Sequence, residues 1–184
     1  MKIKLHRYYG DEAVTKSVME VWMEGEEAPR LVCEAREVGF RDYEEAFPGA
    51  SNYCMPKGRW RMACGGGPYS PMGVRVVRCP GHRQVFFGYS AQRVALPDRV
   101  MMGRPVFHYY TDEEGREVEY PPKRGMKDGE EVFWELDELL YEAFGKGEEM
   151  WCEVENTDPL CLTGISPSMG RPFGVLGERG MLRI

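Results

Sequence analysis

A chain of 184 residues, 42% hydrophobic and 29% charged, is long enough to bury one sizeable core and too short to demand several domains. Its apolar runs are only a few residues long and it opens Met1-Lys2-Ile3-Lys4-Leu5-His6-Arg7, so neither a membrane-spanning helix nor a secretory leader is expected, and the expected compartment is the cytoplasm. Six cysteines without a C-x-x-C pair, joined by only three histidines, argue against a zinc cluster; no metal and no cofactor is expected, and in a reducing compartment the thiols stay free.

In chain order, residues 2–8 and 14–23 carry alternating apolar residues (Ile3, Leu5; Val14, Val18, Val21, Met23) around Tyr9-Gly10-Asp11-Glu12, which predicts strand, turn, strand. A third strand is expected over 30–35, around Leu31, Val32 and Cys33. Residues 36–56 show no period, and a connection of that length is commonly functional or part of an interface. In 58–64, Trp60, Met62 and Cys64 alternate with Arg59 and Arg61, a strand with its core face and its basic face apart. Glycines 65–67 end it as a turn, because the Gly-Lys-Ser/Thr of a phosphate loop is absent. Residues 74–77 and 85–87 read as strands flanking the turn Cys79-Pro80-Gly81-His82. The stretch 88–105 reads as irregular, with a strand at 106–110.

Residues 111–129, charged and containing Pro121-Pro122, read as a polar insertion. From Glu130 to Phe144 apolar residues recur every three or four positions and Gly145 supplies a stop, so one amphipathic helix is expected over about 130–145. Residues 150–154 close the domain as a strand. From 157 to 184 the chain is rich in Gly and Pro yet carries Leu160, Leu162, Ile165, Phe173 and Leu182, too apolar for a free linker. It is expected to be an extended C-terminal arm packed on its own domain or on a neighbouring subunit. The fold class is therefore mainly β with one helix, a small barrel or sandwich over 1–156 followed by the arm.

The net charge of −6 hides a strong asymmetry. Residues 57–104 hold nine Lys/Arg against the single acid Asp98, whereas 111–158 hold seventeen acids against five bases. Clustered guanidinium groups suit an anionic partner. Self-complementarity, within the chain or between copies, explains both blocks at once, since Glu131, Glu135, Glu138 and Glu142 repel one another along the helix unless cations lie near. Nucleic acid is not the expected partner of an acidic protein, which must overcome its own repulsion of phosphate.

Several short pieces, Pro48-Gly49, Met55-Pro56-Lys57-Gly58-Arg59-Trp60, Cys79-Pro80-Gly81 and the segment from Val132 to Val154, together with their order along residues 2–156, resemble a family of small uncharacterised domains of gut Bacteroidetes, their mobile elements and phages. That family is in turn similar to the catalytic domain of L,D-transpeptidases, in which a thiolate attacks a peptidoglycan amide while an imidazole takes and returns the proton. The resemblance places Gly88, in Val85-Phe86-Phe87-Gly88-Tyr89-Ser90-Ala91, where that histidine belongs. It places Arg99, in Asp98-Arg99-Val100-Met101-Met102-Gly103, where the cysteine belongs. It therefore implies a transpeptidase-like scaffold without its nucleophile and base, a pseudoenzyme.

No residue is assigned as catalytic on this reading. Cys79 and His82, three apart across a Pro-Gly turn, are the candidates for a relocated dyad, though a turn alone supplies neither an oxyanion hole nor an orienting group. Asp98 and Arg99 could hold an anion or form an ordinary surface pair. Tyr89 and Ser90 could line a retained groove, and Arg59 and Arg61 supply cations on an outer strand face. The expected function is a non-catalytic binding or assembly protein of a prokaryote or its mobile elements, forming a homo-oligomer or binding a protein partner through the arm. The alternatives are a cell-wall acyl-transfer or hydrolytic enzyme with a relocated site, and an anion or nucleic-acid binder using the 57–104 arginines.

Overall fold

The computed structural model describes residues 1–65, 73–89, 94–105, 109–111, 117–119 and 129–156, together with two short segments at 175–176 and 182–183. Eight strands close into a barrel: β1 (Lys2–Gly10), β2 (Val14–Trp22), β3 (Leu31–Val38), β4 (Gly58–Ala63), β5 (Arg75–Val76), β6 (Val85–Tyr89), β7 (Arg99–Pro105) and β10 (Trp151–Asn156). Their order around the wall is β1-β10-β4-β5-β6-β7-β3-β2. The pairs β1/β10 and β6/β7 are parallel and the other six antiparallel. Two small antiparallel pairs lie outside it, β8 (Tyr109–Thr111) with β9 (Glu117–Glu119), and β11 (Val175–Leu176) with β12 (Leu182–Arg183), β11 approaching β1. The helix α1 spans Glu130–Gly145.

Side-chain alternation sends Ile3 and Leu5 of β1, Met19 and Val21 of β2, Cys33 and Ala35 of β3, Val76, Val85, Phe87, Val100, Met102, Cys152 and Val154 into one core. The helix adds Val132, Phe133, Leu136, Leu139, Leu140 and Ala143 to the same core. The registers separate the two ends of the barrel. Near one end lie Met1, Leu31, Met102 and Met150, and there α1 begins, with Gly129 at its N-cap in the left-handed region (φ 78) and against the Met102 carbonyl. At that contact a Cβ would overlap the carbonyl oxygen, so the position needs glycine. At the other end the inward positions are polar: Arg7, Thr15, Ser17 and Glu37.

The fold class expected from the sequence, a small β-barrel with one amphipathic helix, is what forms, and α1 matches its expected bounds. Three readings are corrected. Residues 88–105 are not wholly irregular: Arg99–Pro105 is the barrel strand β7, which bridges β6 and β3. Its sequence, Arg-Val-Met-Met-Gly-Arg-Pro, lacks alternation because Met101, on the outer face, is buried as fully as Met102 on the inner one. On β2 the inward positions are Thr15, Ser17, Met19 and Val21, so Val14 and Val18 face outward, against the reading that grouped them with Val21. β3 runs on to Val38, which shortens the connection to β4; within that connection Ala50–Asn52 form one 3-10 turn. Of the strand expected over 106–110 only Tyr109 and Tyr110 are described, and most of the 111–129 insertion and of the 157–184 arm lies outside the described residues.

Candidate functional site

The polar end of the barrel gathers the one cluster of chemistry-bearing side chains that sequence reading had begun to pick out. Cys79-Pro80-Gly81-His82 is a tight turn closed by the His82 N–H donating to the Cys79 carbonyl (3.1 Å). Pro80 and Gly81 (φ 76) occupy the positions that such a turn needs when its third residue is left-handed. The turn presses on the 39–56 connection at Ala50, which a Cβ on Gly81 would overlap. His82 is thereby carried inward, with its side chain 1% exposed.

Both ring nitrogens of His82 are engaged. Nδ1 lies 2.8 Å from Asp98 Oδ1, and because a carboxylate only accepts, Nδ1 carries the proton. Nε2 lies 2.6 Å from the Tyr43 hydroxyl oxygen, which is also 2.9 Å from the Cys54 carbonyl, so the single hydroxyl proton serves one of these two acceptors at a time. Asp98 holds its place through an unusual backbone: it is left-handed (φ 53), a conformation Asp tolerates better than most residues, and its carbonyl accepts the Phe86 N–H at 3.0 Å. The result is a relay, from the partly exposed Asp98 to the buried His82 and Tyr43, that ties three connections together.

Beneath it lies a buried ion pair. Arg7 Nε donates to Glu37 Oε2 (2.9 Å), and its terminal nitrogen reaches both carboxylate oxygens at 2.8 Å, with side chains 1% and 3% exposed. Glu37 Oε1 also accepts the Met55 N–H (2.9 Å), which anchors the chain leading into β4. Ser17, opposite Arg7 in register, leaves its buried hydroxyl without a partner.

This geometry decides what the cluster can do. The Cys79 thiol is 4% exposed and burial pushes it up to about 12, so it is not a thiolate near neutral pH. Burial likewise raises the thiols of Cys33, Cys54, Cys64 and Cys152 and the Tyr43 hydroxyl. Among the described residues no side-chain hydrogen bond joins the Cys79 thiol to the His82 imidazole; the ring faces Tyr43 instead, and no sequence pattern marked Tyr43, which stands 39 residues away. The cluster holds charge and hydrogen bonds in place but offers no accessible nucleophile. Among the described residues no group of three or more His, Cys, Asp or Glu is arranged to hold a metal ion.

The remaining candidates are dispersed. Asp98 turns to His82 rather than to Arg99, whose guanidinium lies 5.8 Å from the Phe86 ring centre on the outer wall. Tyr89 packs on Phe133 (5.3 Å between centroids) and donates to Glu130 Oε1 at 3.3 Å, at the helix end. Ser90 lies outside the described residues. Arg59 and Arg61 project from the outer face of β4, Arg59 over the Trp151 ring at 4.3 Å and 3.6 Å from Glu153. No helix among the described residues is long and apolar enough to cross a membrane. No family model, curated protein or solved structure matches the chain.

Proposed function

We propose that this chain is a non-catalytic assembly protein that docks copies of itself, on a scaffold resembling the L,D-transpeptidases but with the reacting pair replaced by Gly88 and Arg99. One observation carries the reading: α1 presents Trp134, Tyr141 and Phe144 to solvent at 41%, 52% and 61% exposure, while at the other end His82 is buried with both ring nitrogens engaged. Trp134 and Tyr141 are two turns apart and so share one line along the helix, with Phe144 beside them. Contiguous exposed aromatics of this kind mark protein interaction sites.

The partner that fits is a second copy. Glu138 and Glu142 lie along one flank of the aromatic line, and the opposite end of the barrel, at the turn that carries His82, presents exposed Arg78 and Arg83. Acidic helix and basic rim lie at different ends, so the contact is head-to-tail and builds a ring or a filament. The 157–184 arm is the natural second element of such a contact. β6 and β7 run parallel, Phe86 pairs with Arg99 and Gly88 with Met101, so Gly88 and Arg99 are diagonal neighbours on one outer face.

Light scattering on the full chain tests this. An oligomer is expected that dissociates with salt, with Trp134→Ser plus Tyr141→Ser, and with Arg78→Glu plus Arg83→Glu, and that changes on deletion of 157–184. A monomer at all concentrations overturns the proposal. A second reading, amide acyl transfer from a relocated site, rests on the Asp98–His82 pair, which orients an imidazole as acid–base enzymes do. It requires one thiol that labels fast with iodoacetamide near neutral pH, and uniformly slow labelling removes it.

A further inference from the structure

At the helix end of the outer wall, Trp22, Lys2 and Trp151 form one row across β2, β1 and β10, because Lys2 pairs in register with both tryptophans. Two strand spacings set the tryptophan Cα atoms about 10 Å apart. The turns at 23–26 and 146–149 rise beside this row and complete a groove of about 580 Å³ in which both indoles, Lys2 and Arg59 take part.

The indoles are fixed rather than adaptable. Trp22 Nε1 donates to Glu20 Oε2 (2.8 Å) and Trp151 Nε1 to Glu149 Oε2 (3.3 Å). The Lys4 ammonium lies 4.9 Å from the Trp22 ring centre. Arg59, 59% exposed, lies over Trp151 and does line the groove, so it is the group able to close over or withdraw from an occupant.

Charge selects the class of ligand. Lys2, Arg59 and Lys146 face Glu24, Glu26, Glu148 and Glu149, a near balance. Much of it is already engaged: Glu26 with Arg30, Glu148 with the Met1 amine and Lys146 with Glu142. An anion meets four carboxylates, and a cation meets Lys2 between the two rings. A neutral ligand with apolar ring faces and many hydroxyls suits both the indoles and the mixed polar rim.

We propose that this groove binds a short neutral oligosaccharide, one pyranose face stacked on each indole and the intervening hydroxyls taken by Lys2 and Glu24. This goes beyond the assembly reading and stands whether or not the chain oligomerises. The test titrates the full chain with cellotetraose, chitotetraose and maltotetraose at millimolar concentration and follows the four tryptophan indole N–H signals by nuclear magnetic resonance. The Trp22 and Trp151 signals are expected to move with at least one probe while Trp60 and Trp134 stay. Trp22→Ala and Trp151→Ala are each expected to weaken binding about tenfold or more, or about 1.4 kcal/mol, with an unshifted Trp60 signal reporting an intact barrel. The proposal is overturned if no probe moves either signal, if binding survives both substitutions, or if a sulfated oligosaccharide binds in preference to the neutral ones.

Discussion

Among the described residues Arg7 is the largest side chain that is fully buried, and it is charged. Its positive charge is stranded unless Glu37 is ionised beside it, so the two residues stand or fall together. Desolvation works against the guanidinium's charge, and the Glu37 carboxylate outweighs it, raising the Arg7 pKa. Removing one partner, by Arg7→Met or Glu37→Gln, is expected to destabilise the barrel by about 3–5 kcal/mol in urea unfolding, because the survivor keeps its desolvation cost without its compensation. The double substitution Arg7→Met with Glu37→Leu is expected to cost much less than the sum of the single substitutions, and a simple sum would show that the pair is not coupled.

His6, on the outer face of β1, lies 2.6 Å from Glu155 Oε1 and 3.1 Å from Glu20 Oε2. Burial lowers its pKa, but the hydrogen bonds and charges of Glu20 and Glu155 prevail and raise it above the usual imidazole value, while Glu20 is held below the usual carboxylate value. The sign follows from linkage: a raised histidine stabilises the fold fully below its unfolded pKa of about 6.5 and loses that contribution as pH climbs through the folded value. The depressed Glu20 contributes above its unfolded value and loses that on acidification. Stability is therefore expected to decline as pH rises above about 6.5, and His6→Gln is expected to flatten this limb, as read from urea midpoints across pH.

Among the elements, the turn that carries His82 shows how a local motif acquires a tertiary role. Cys-Pro-Gly-His is legible as a turn from composition alone, since Pro presets one backbone angle and Gly accepts the left-handed one. That Gly81 must also be glycine because Ala50 lies against it is not legible, for the two are brought together only when the 39–56 connection folds over the barrel end. Gly81→Ala is expected to cost about 2–3 kcal/mol, from backbone strain plus the overlap with Ala50, and to broaden the His82 ring signals. An unchanged midpoint and an unchanged His82 spectrum would show that the turn does not clamp the relay. The helix was the opposite case: its apolar residues repeat at three and four positions, and the structure buries that face. β7 was missed for a converse reason, since both Met101 and Met102 are buried and no alternation survives to be read.

For the whole molecule, barrel closure explains which parts of the chemistry could be foreseen. Strand periodicity, the Pro-Gly turns and the amphipathic helix are local properties, written in neighbouring residues, and they suffice for a mainly β fold with one helix. The cysteines and His82 were visible as residue types, but their state depends on burial, and burial is a property of the closed barrel. Tyr43 joins His82 across 39 residues, Arg7 joins Glu37 across 30, and Trp22 shares a row with Trp151 only because β1 lies between β2 and β10. The sequence alone decided the elements and their apolar faces, because those follow from backbone preference and side-chain spacing over a few residues. The tertiary structure decided which polar groups meet, because strand order and register set long-range neighbours and no local pattern encodes them.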